Sequence, residues 1–398
     1  MKLIMIDKIL LSVKLFNTRS LYVACLAAFV FIGVSPVIAD EESETDTGYS
    51  TSSGMPFEAV PDLREEEAPL TVQKGDFIAV PIPMSDPTLG TGLIGAAAYF
   101  YPQNEAQKAS QSASFTGGGV MYTDNESWAA GIVQQSYWDE DTWRLHAVAS
   151  YADFKFVLRD PATEGQTGLN WNVSGSIFQG ILSRRLIDPW YIGLLLRYLD
   201  ITQDLDTSQP PVPYNIESKI ISTGAGATLE YDTRDVPTNA YSGSRFESKA
   251  IFSYAEGFET DTYQSYYLRF RSYHQLKKSP VVIAWDLNGC AKGGKFPLWD
   301  TCRLNLRGFP ATDYLGEQSI SGQIEARWRA SSRWGFVAFT GAGHVSKSFS
   351  DQGNDEEVPS YGAGVRFMVL QSKRVNFRVD YARSDDSDAL YISVGEAF

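Results

Sequence analysis

Few residues in this chain have the types and spacing that catalysis or metal binding require. The three histidines, His146, His274 and His344, each fall in a segment of alternating polarity, with no Cys or second His at zinc-ligand spacing. A Ser/His hydrolase built into a wall of strands is the one enzymatic reading they leave. No Gly-x-Ser-x-Gly turn supplies its nucleophile, and no enzyme is expected. The runs Gly117-Gly118-Gly119 and Gly224-Ala225-Gly226 lie in strand-like segments with no helix after them, so they read as kinks and not as phosphate loops. Asp351, Asp355, Glu356 and Glu357, like Asp385, Asp386 and Asp388, could gather Ca²⁺ or simply belong to solvated loops; EF-hand spacing is missing. No cofactor or resident metal is expected. More telling is the recurrence of Arg245, Arg269, Arg271, Arg327, Arg329, Arg366 and Arg378 on one face of successive segments. A soluble core would not tolerate these unpaired, and a desolvated guanidinium needs carboxylate partners.

The elements that must carry these side chains are strands. Val375, Phe377, Val379 and Tyr381 interleave with Arg374, Asn376, Arg378 and Asp380, and Ile320, Ile324, Ala326 and Trp328 interleave with Gln323, Glu325, Arg327 and Arg329. A sandwich would bury the apolar face; a membrane barrel would turn it to lipid and the polar face to its lumen. Three features favour the barrel. Alternation runs from Phe77 to Phe398 with no convincing helical stripe. Aromatics crowd the short turns, at Tyr137, Trp138 and Trp143, at Trp190 and Tyr191, and at Trp328 and Trp334, as an interfacial girdle would. Segments begin near residues 77, 90, 112, 127, 142, 171, 190, 219, 244, 262, 281, 320, 335, 361, 375 and 389, which makes 16, an even number that can close. The expected fold is therefore all-β, a 16-stranded antiparallel transmembrane β-barrel with short turns at one end and long loops at the other.

The rest of the chain agrees with an exported protein. Among 398 residues, 34 basic against 48 acidic side chains give a net charge of -14, the wrong sign for nucleic acid. Lys2, Lys8, Lys14 and Arg19 precede an apolar run from Leu21 to Val34 and small residues before Asp40, so residues 1–39 read as a signal peptide. Cys25 lies in that run without the Leu a lipoprotein signal carries three positions earlier. Residues 40–76 read as an acidic, disordered periplasmic leader, and 77–398 as the barrel. Cys290 and Cys302 survive cleavage into an oxidising compartment, where a disulfide is the natural reading.

Three motifs resemble the Omp85 superfamily, in its bacterial surface antigen barrel domain. Tyr231-Asp232-Thr233-Arg234-Asp235, with Pro237, Asn239 and Gly243, resembles a turn that this family places between two mid-barrel strands, with Val236 and Ala240 replacing the usual Asn and second Pro. Leu306-Arg307-Gly308-Phe309 is similar to the signature of its long sixth loop, and Leu390, Ile392, Val394, Gly395 and Phe398 to its C-terminal β-signal. The resemblance implies that Arg307 folds into the lumen and pairs with wall carboxylates. Glu325 stands at one matching position. The second acidic position holds Gly341, which leaves Asp380 to compensate. Arg307 is then either a simple anchor of the loop tip or part of a mobile device. The resemblance also implies a weak seam between first and last strands, and a role in inserting, assembling or translocating proteins or lipids at the outer membrane of a Gram-negative cell. The family's usual periplasmic POTRA domains have no room between signal and barrel. Implied partners are outer-membrane lipids and lipopolysaccharide, the barrel assembly machinery during biogenesis, an unidentified client and a second copy of the chain. The other reading left open is a passive channel with an arginine-lined lumen.

Overall fold

The computed structural model describes residues 75–159, 168–207, 214–257, 261–348, 356–371, 374–385 and 387–398. The expected signal peptide and most of the expected leader, with Asp351, Asp355 and Asp386, lie outside the described residues. Seventeen strands form one antiparallel sheet that closes on itself. In chain order they are β1 (Asp76–Asp86), β2 (Gly90–Phe100), β3 (Phe115–Thr123), β4 (Trp128–Trp138), β5 (Trp143–Arg159), β6 (Gly168–Ile187), β7 (Trp190–Thr207), β8 (Tyr214–Asp232), β9 (Ser242–Glu256), β10 (Asp261–Gln275), β11 (Val281–Gly294), β12 (Cys302–Arg303), β13 (Leu315–Arg329), β14 (Trp334–Ser348), β15 (Glu356–Leu370), β16 (Val375–Arg383) and β17 (Asp388–Val394). Sixteen of them make the barrel wall. The remaining one, β12, is a two-residue stub inside the loop after β11 that pairs with the first residues of β13. Strands reach 20 residues in β6, longer than the ten or so that crossing a bilayer needs, so the wall extends beyond the membrane at the long-loop end. One short helix, α1 (Glu105–Ser110), interrupts the β2–β3 connection, held by a capping box between Asn104 and Gln107. For that reason β3 starts three residues later than the sequence pattern suggests.

The two faces of the wall follow the period-2 rule. Outward-pointing Leu93, Val120, Ile132, Leu194, Leu196, Phe252, Leu268, Leu287, Ile320, Trp328 and Trp334 are exposed, as a lipid-facing band requires. Trp138, Trp328 and Trp334 face outward near the short turns, but Tyr191 is buried at 3% and points inward, so it does not belong to the girdle the sequence suggested. The inner face is divided. On the β3–β8 side it is mainly apolar: Met121, Val133, Val148, Ala152, Phe154, Phe156, Trp171, Val173, Ile177, Leu199, Ile201 and Ile220 form one buried cluster. On the β9–β16 side it carries the arginines and carboxylates.

The closure is uneven. Along its full length β1 pairs with β2, whereas it meets β17 only at Ser85↔Ile392. Beyond Val394 the chain leaves the wall at Gly395, whose φ of +96° is a left-handed conformation that glycine adopts without penalty.

The lipid-facing assignment predicts that Leu196→Arg, near mid-height of β7 and outward, destabilises the barrel refolded in vesicles by about 2–4 kcal/mol, while Ser136→Arg near the short turns costs about 0–1 kcal/mol. Urea titration of both variants measures the difference, and equal costs would contradict the assignment.

Candidate functional site

The site is built where the loop between β11 and β13 re-enters the barrel. Its first half is fixed by the disulfide Cys290–Cys302 and by Asp300. That fully buried carboxylate receives Arg197 Nη2 at 2.9 Å and Tyr263 Oη at 2.8 Å, and sits against the Lys292 ammonium at 2.5 Å. Phe296, Leu298 and Trp299 from the same half pack into the apolar cluster of the β3–β8 side. Arg197 is the only charged residue in the run Ile192 to Leu199, which is otherwise nearly all apolar on both faces. It was the one signal by which sequence could have found this anchor.

The second half carries Leu306, Arg307, Gly308 and Phe309. Arg307 is 6% exposed and reaches across to three wall strands. Its Nη2 donates to Glu325 Oε2 at 2.6 Å, Nη1 to Asp380 Oδ2 at 2.8 Å and Nε to Gln323 Oε1 at 3.1 Å. The guanidinium carbon lies 3.4 Å from the centroid of the Phe339 ring, a cation–π contact. The Arg307 carbonyl accepts from Ser360 Oγ. Gly308 takes a φ of +128°, donates its N–H to Tyr391 Oη at 3.0 Å and accepts from Ser387 Oγ at 2.9 Å. A Cβ there would come 3.1 Å from the Arg383 backbone. Phe309 packs with Leu304, Val345 and Val358, and edge-on to Tyr314 at 4.7 Å. Gly341 has a packing role in place of an acid: a Cβ there would meet Leu306 at 3.1 Å and the backbone of Gly322 at 2.6 Å.

Around Arg307 the carboxylates are shared. Glu325 Oε1 also accepts from Arg327 Nε at 2.7 Å, and Asp380 also accepts from Arg366. Arg366 Nε in turn binds Glu396 Oε2 at 2.8 Å, and Asn376 holds the other oxygen of Glu396. Arg327 Nη2 donates to the main-chain oxygen of Phe398 at 2.8 Å. The network therefore runs from the loop tip to the chain's last residues. Sequence reading singled out Glu325 and Asp380 but gave no role to Glu396, nor to Gln323 and Phe339, which stand in the stretches around Glu325 and Gly341.

The C-terminal residues divide. Leu390, Ile392 and Val394 lie on the outer side of β17, as a β-signal would place them. Phe398, the aromatic end of the resembled signal, turns into the barrel and packs on Ala240, Tyr241, Tyr273, Val282 and Ala284. The cause is the turn at Gly395, whose N–H donates to Asn376 O at 2.7 Å, followed by capture of Glu396 by Arg366.

The remaining motif braces itself at the short-turn end. Arg234 chelates Asp232 through Nε and Nη2 at 3.0 and 2.8 Å and donates to Pro237 O at 3.0 Å. Asp235 accepts the backbone N–H groups of Tyr241 and Ser242 and, through its other oxygen, Arg374 Nη1 at 2.7 Å from the β15–β16 turn. Gly243 has a φ of +95°, and a Cβ there would strike Thr233 O at 2.1 Å. Through Arg374 and Phe398 this turn is tied to elements on the far side of the barrel mouth. Among the described residues no cluster of His, Cys, Asp and Glu could hold a metal.

Shared carboxylates make removal of an anion costlier than removal of a cation. Arg307→Ala leaves Glu325 with Arg327 and Asp380 with Arg366, whereas Glu325→Ala strips Arg307 and Arg327 of their nearest carboxylate. Glu325→Ala is expected to lower unfolding stability by about 3–5 kcal/mol and Arg307→Ala by only about 1–3 kcal/mol. Urea midpoints of the two refolded variants check this order, and the reverse order would refute the network as drawn.

The sequence matches no protein-family model and no curated protein. The fold does have solved counterparts. The barrel is similar to BamA from Haemophilus ducreyi lacking POTRA domains 1–3, with a TM-score of 0.55 at 12% identity over 81% of this chain and 70% of that one. It is similar also to CdiB from Acinetobacter baumannii, with a TM-score of 0.54 at 12% identity over 81% of this chain and 60% of that one. The chain folds as a closed 16-stranded antiparallel β-barrel with the architecture of the BamA and CdiB barrels, which are outer-membrane barrels of Gram-negative bacteria.

Proposed function

We propose that this is an Omp85-type barrel that assists assembly, insertion or translocation of proteins or lipids at the outer membrane, with the loop around Arg307 as its internal plug. The observation that carries the reading is the buried pairing of Arg307 with both Glu325 and Asp380, a lock that holds a surface loop deep in the lumen. Two features support it. The seam is one residue pair long, and a wall joined so weakly is the part of the barrel that opens at least cost. The loop is pinned by side chains that meet on different strands, so a shift of β13 against β16 reaches Arg307 directly. A passive arginine-lined pore fits less well, because Arg307, Arg327 and Arg366 all face carboxylates and the loop occupies the lumen.

The test compares the outer-membrane protein and lipid profiles of a deletion strain, its parent and a strain carrying Arg307→Ala. Loss of a particular protein or a changed lipid distribution in the deletion strain, reproduced by Arg307→Ala at normal barrel abundance, is expected. An unchanged profile, together with steady conductance of the purified protein in planar bilayers, would replace this reading with the passive channel.

A further inference from the structure

The inner wall near the short-turn end of β1–β4 is unlike the lumen of a polar pore. Its inward positions are Ile78, Val80, Ala96, Ala98, Phe100, Phe115, Gly117 and Val133, and they line an open recess. Phe100, Ala113 and Phe115 form its floor, and the apolar cluster around Met121 and Val133 bounds it toward the long loops. Apolar surface left facing water is unfavourable by roughly 25 cal/mol per Å². An occupant is therefore favoured.

The wall beside this recess is incomplete. β1 forms no ladder with β17 on the short-turn side of Ser85, and beyond Pro83 it faces no β17 residue, because β17 ends at Val394 and the chain turns inward at Gly395. Pro81 and Pro83 stand in that stretch of β1 and carry no N–H. Since β2 pairs with β1 throughout, the missing donors belong on the seam edge, where proline is tolerated. A strand could not zip onto this edge with a full ladder. A peptide lying in the recess would fare no better, for its backbone N–H and C=O groups would meet only hydrocarbon side chains. An alkyl chain has no such groups to satisfy.

We propose that the recess binds an acyl chain of a phospholipid from the inner leaflet, admitted sideways through the unpaired stretch of β1. The inference rests on the reading above, that the barrel handles proteins or lipids at the outer membrane, and names a lipid chain as something it holds. The leaflet follows from position. The recess lies in the half of the wall nearest the short turns, which is the periplasmic half, and the gap runs past it.

The experiment uses the full-length protein in vesicles containing phosphatidylethanolamine with a diazirine in one acyl chain. Irradiation followed by peptide mass spectrometry maps the adducts. Adducts are expected on inward Val80 and Ala98 as well as on outward Leu93. Ala98→Trp fills the recess, and Ile78→Trp, an inward position within the unpaired stretch of β1, blocks its mouth toward the seam. Each is expected to lower the inner adducts about tenfold while leaving Leu93 labelled. Heat-modifiable gel mobility verifies that every barrel is folded. Labelling of Leu93 with none at Val80 or Ala98 would overturn the proposal. So would inner labelling indifferent to both substitutions, or a recess cross-linked to residues 1–74 of the chain itself. Inner adducts with an unchanged strain profile would uphold the acyl site and remove the assembly reading; their absence with a changed profile would do the opposite.

Discussion

A guanidinium taken out of water is stable only among carboxylates, and the charged half of this barrel is arranged around that requirement. Arg307 arrives from a loop and Glu325 from β13. Asp380 comes from β16, with Arg327 and Arg366 behind them. Because each carboxylate serves more than one arginine, no pair can part without changing its neighbours. The loop, the last strands and the C-terminal residues consequently form one electrostatic body. The opposite half of the lumen is mainly apolar, with Arg197 as its buried cation, so the loop is seated by the shared carboxylates on one side and by Phe296, Trp299 and the Asp300–Arg197 pair on the other.

This division explains why the seam can be so slight. A barrel usually joins its first and last strands by a continuous ladder, which removes the exposed edge. Here β17 is short, and the residues after it spend their hydrogen-bonding capacity inside, Glu396 on Arg366 and Asn376, and the Phe398 carbonyl on Arg327. The same residues cannot also lie against β1. Interior fastening has been gained where wall fastening was given up.

Sequence was a good guide to the wall and a partial one to the site. The period-2 alternation of segments such as Val375 to Tyr381 reports a local property of a strand between lipid and lumen, so strand number and order could be read without any long-range knowledge. The pairing of Arg307 with Glu325 was legible through a motif. Asp300 was not, since a single acid in a loop says nothing about the Arg197 and Lys292 that it meets from distant strands. The inward turn of Phe398 was not legible either, since it follows from the positive φ of Gly395, which the resemblance to a β-signal does not reveal. The apolar inner face of β1–β4 was also hidden: Ala, Gly and Pro on both faces leave little contrast to read.

The pairing of Arg303 with Leu315 has a mechanical consequence. The two ends of the Arg307 segment are stapled side by side at the rim, just beyond the disulfide. The segment therefore behaves as a finger on a single knuckle: it can pivot, but it cannot be paid out like a rope. A lobe of about eleven residues doubled back on itself extends at most ~18 Å, whatever force acts on its tip. Its stroke is thus fixed by chain length, and an insertion between Leu304 and Tyr314 would lengthen the reach without touching the grip.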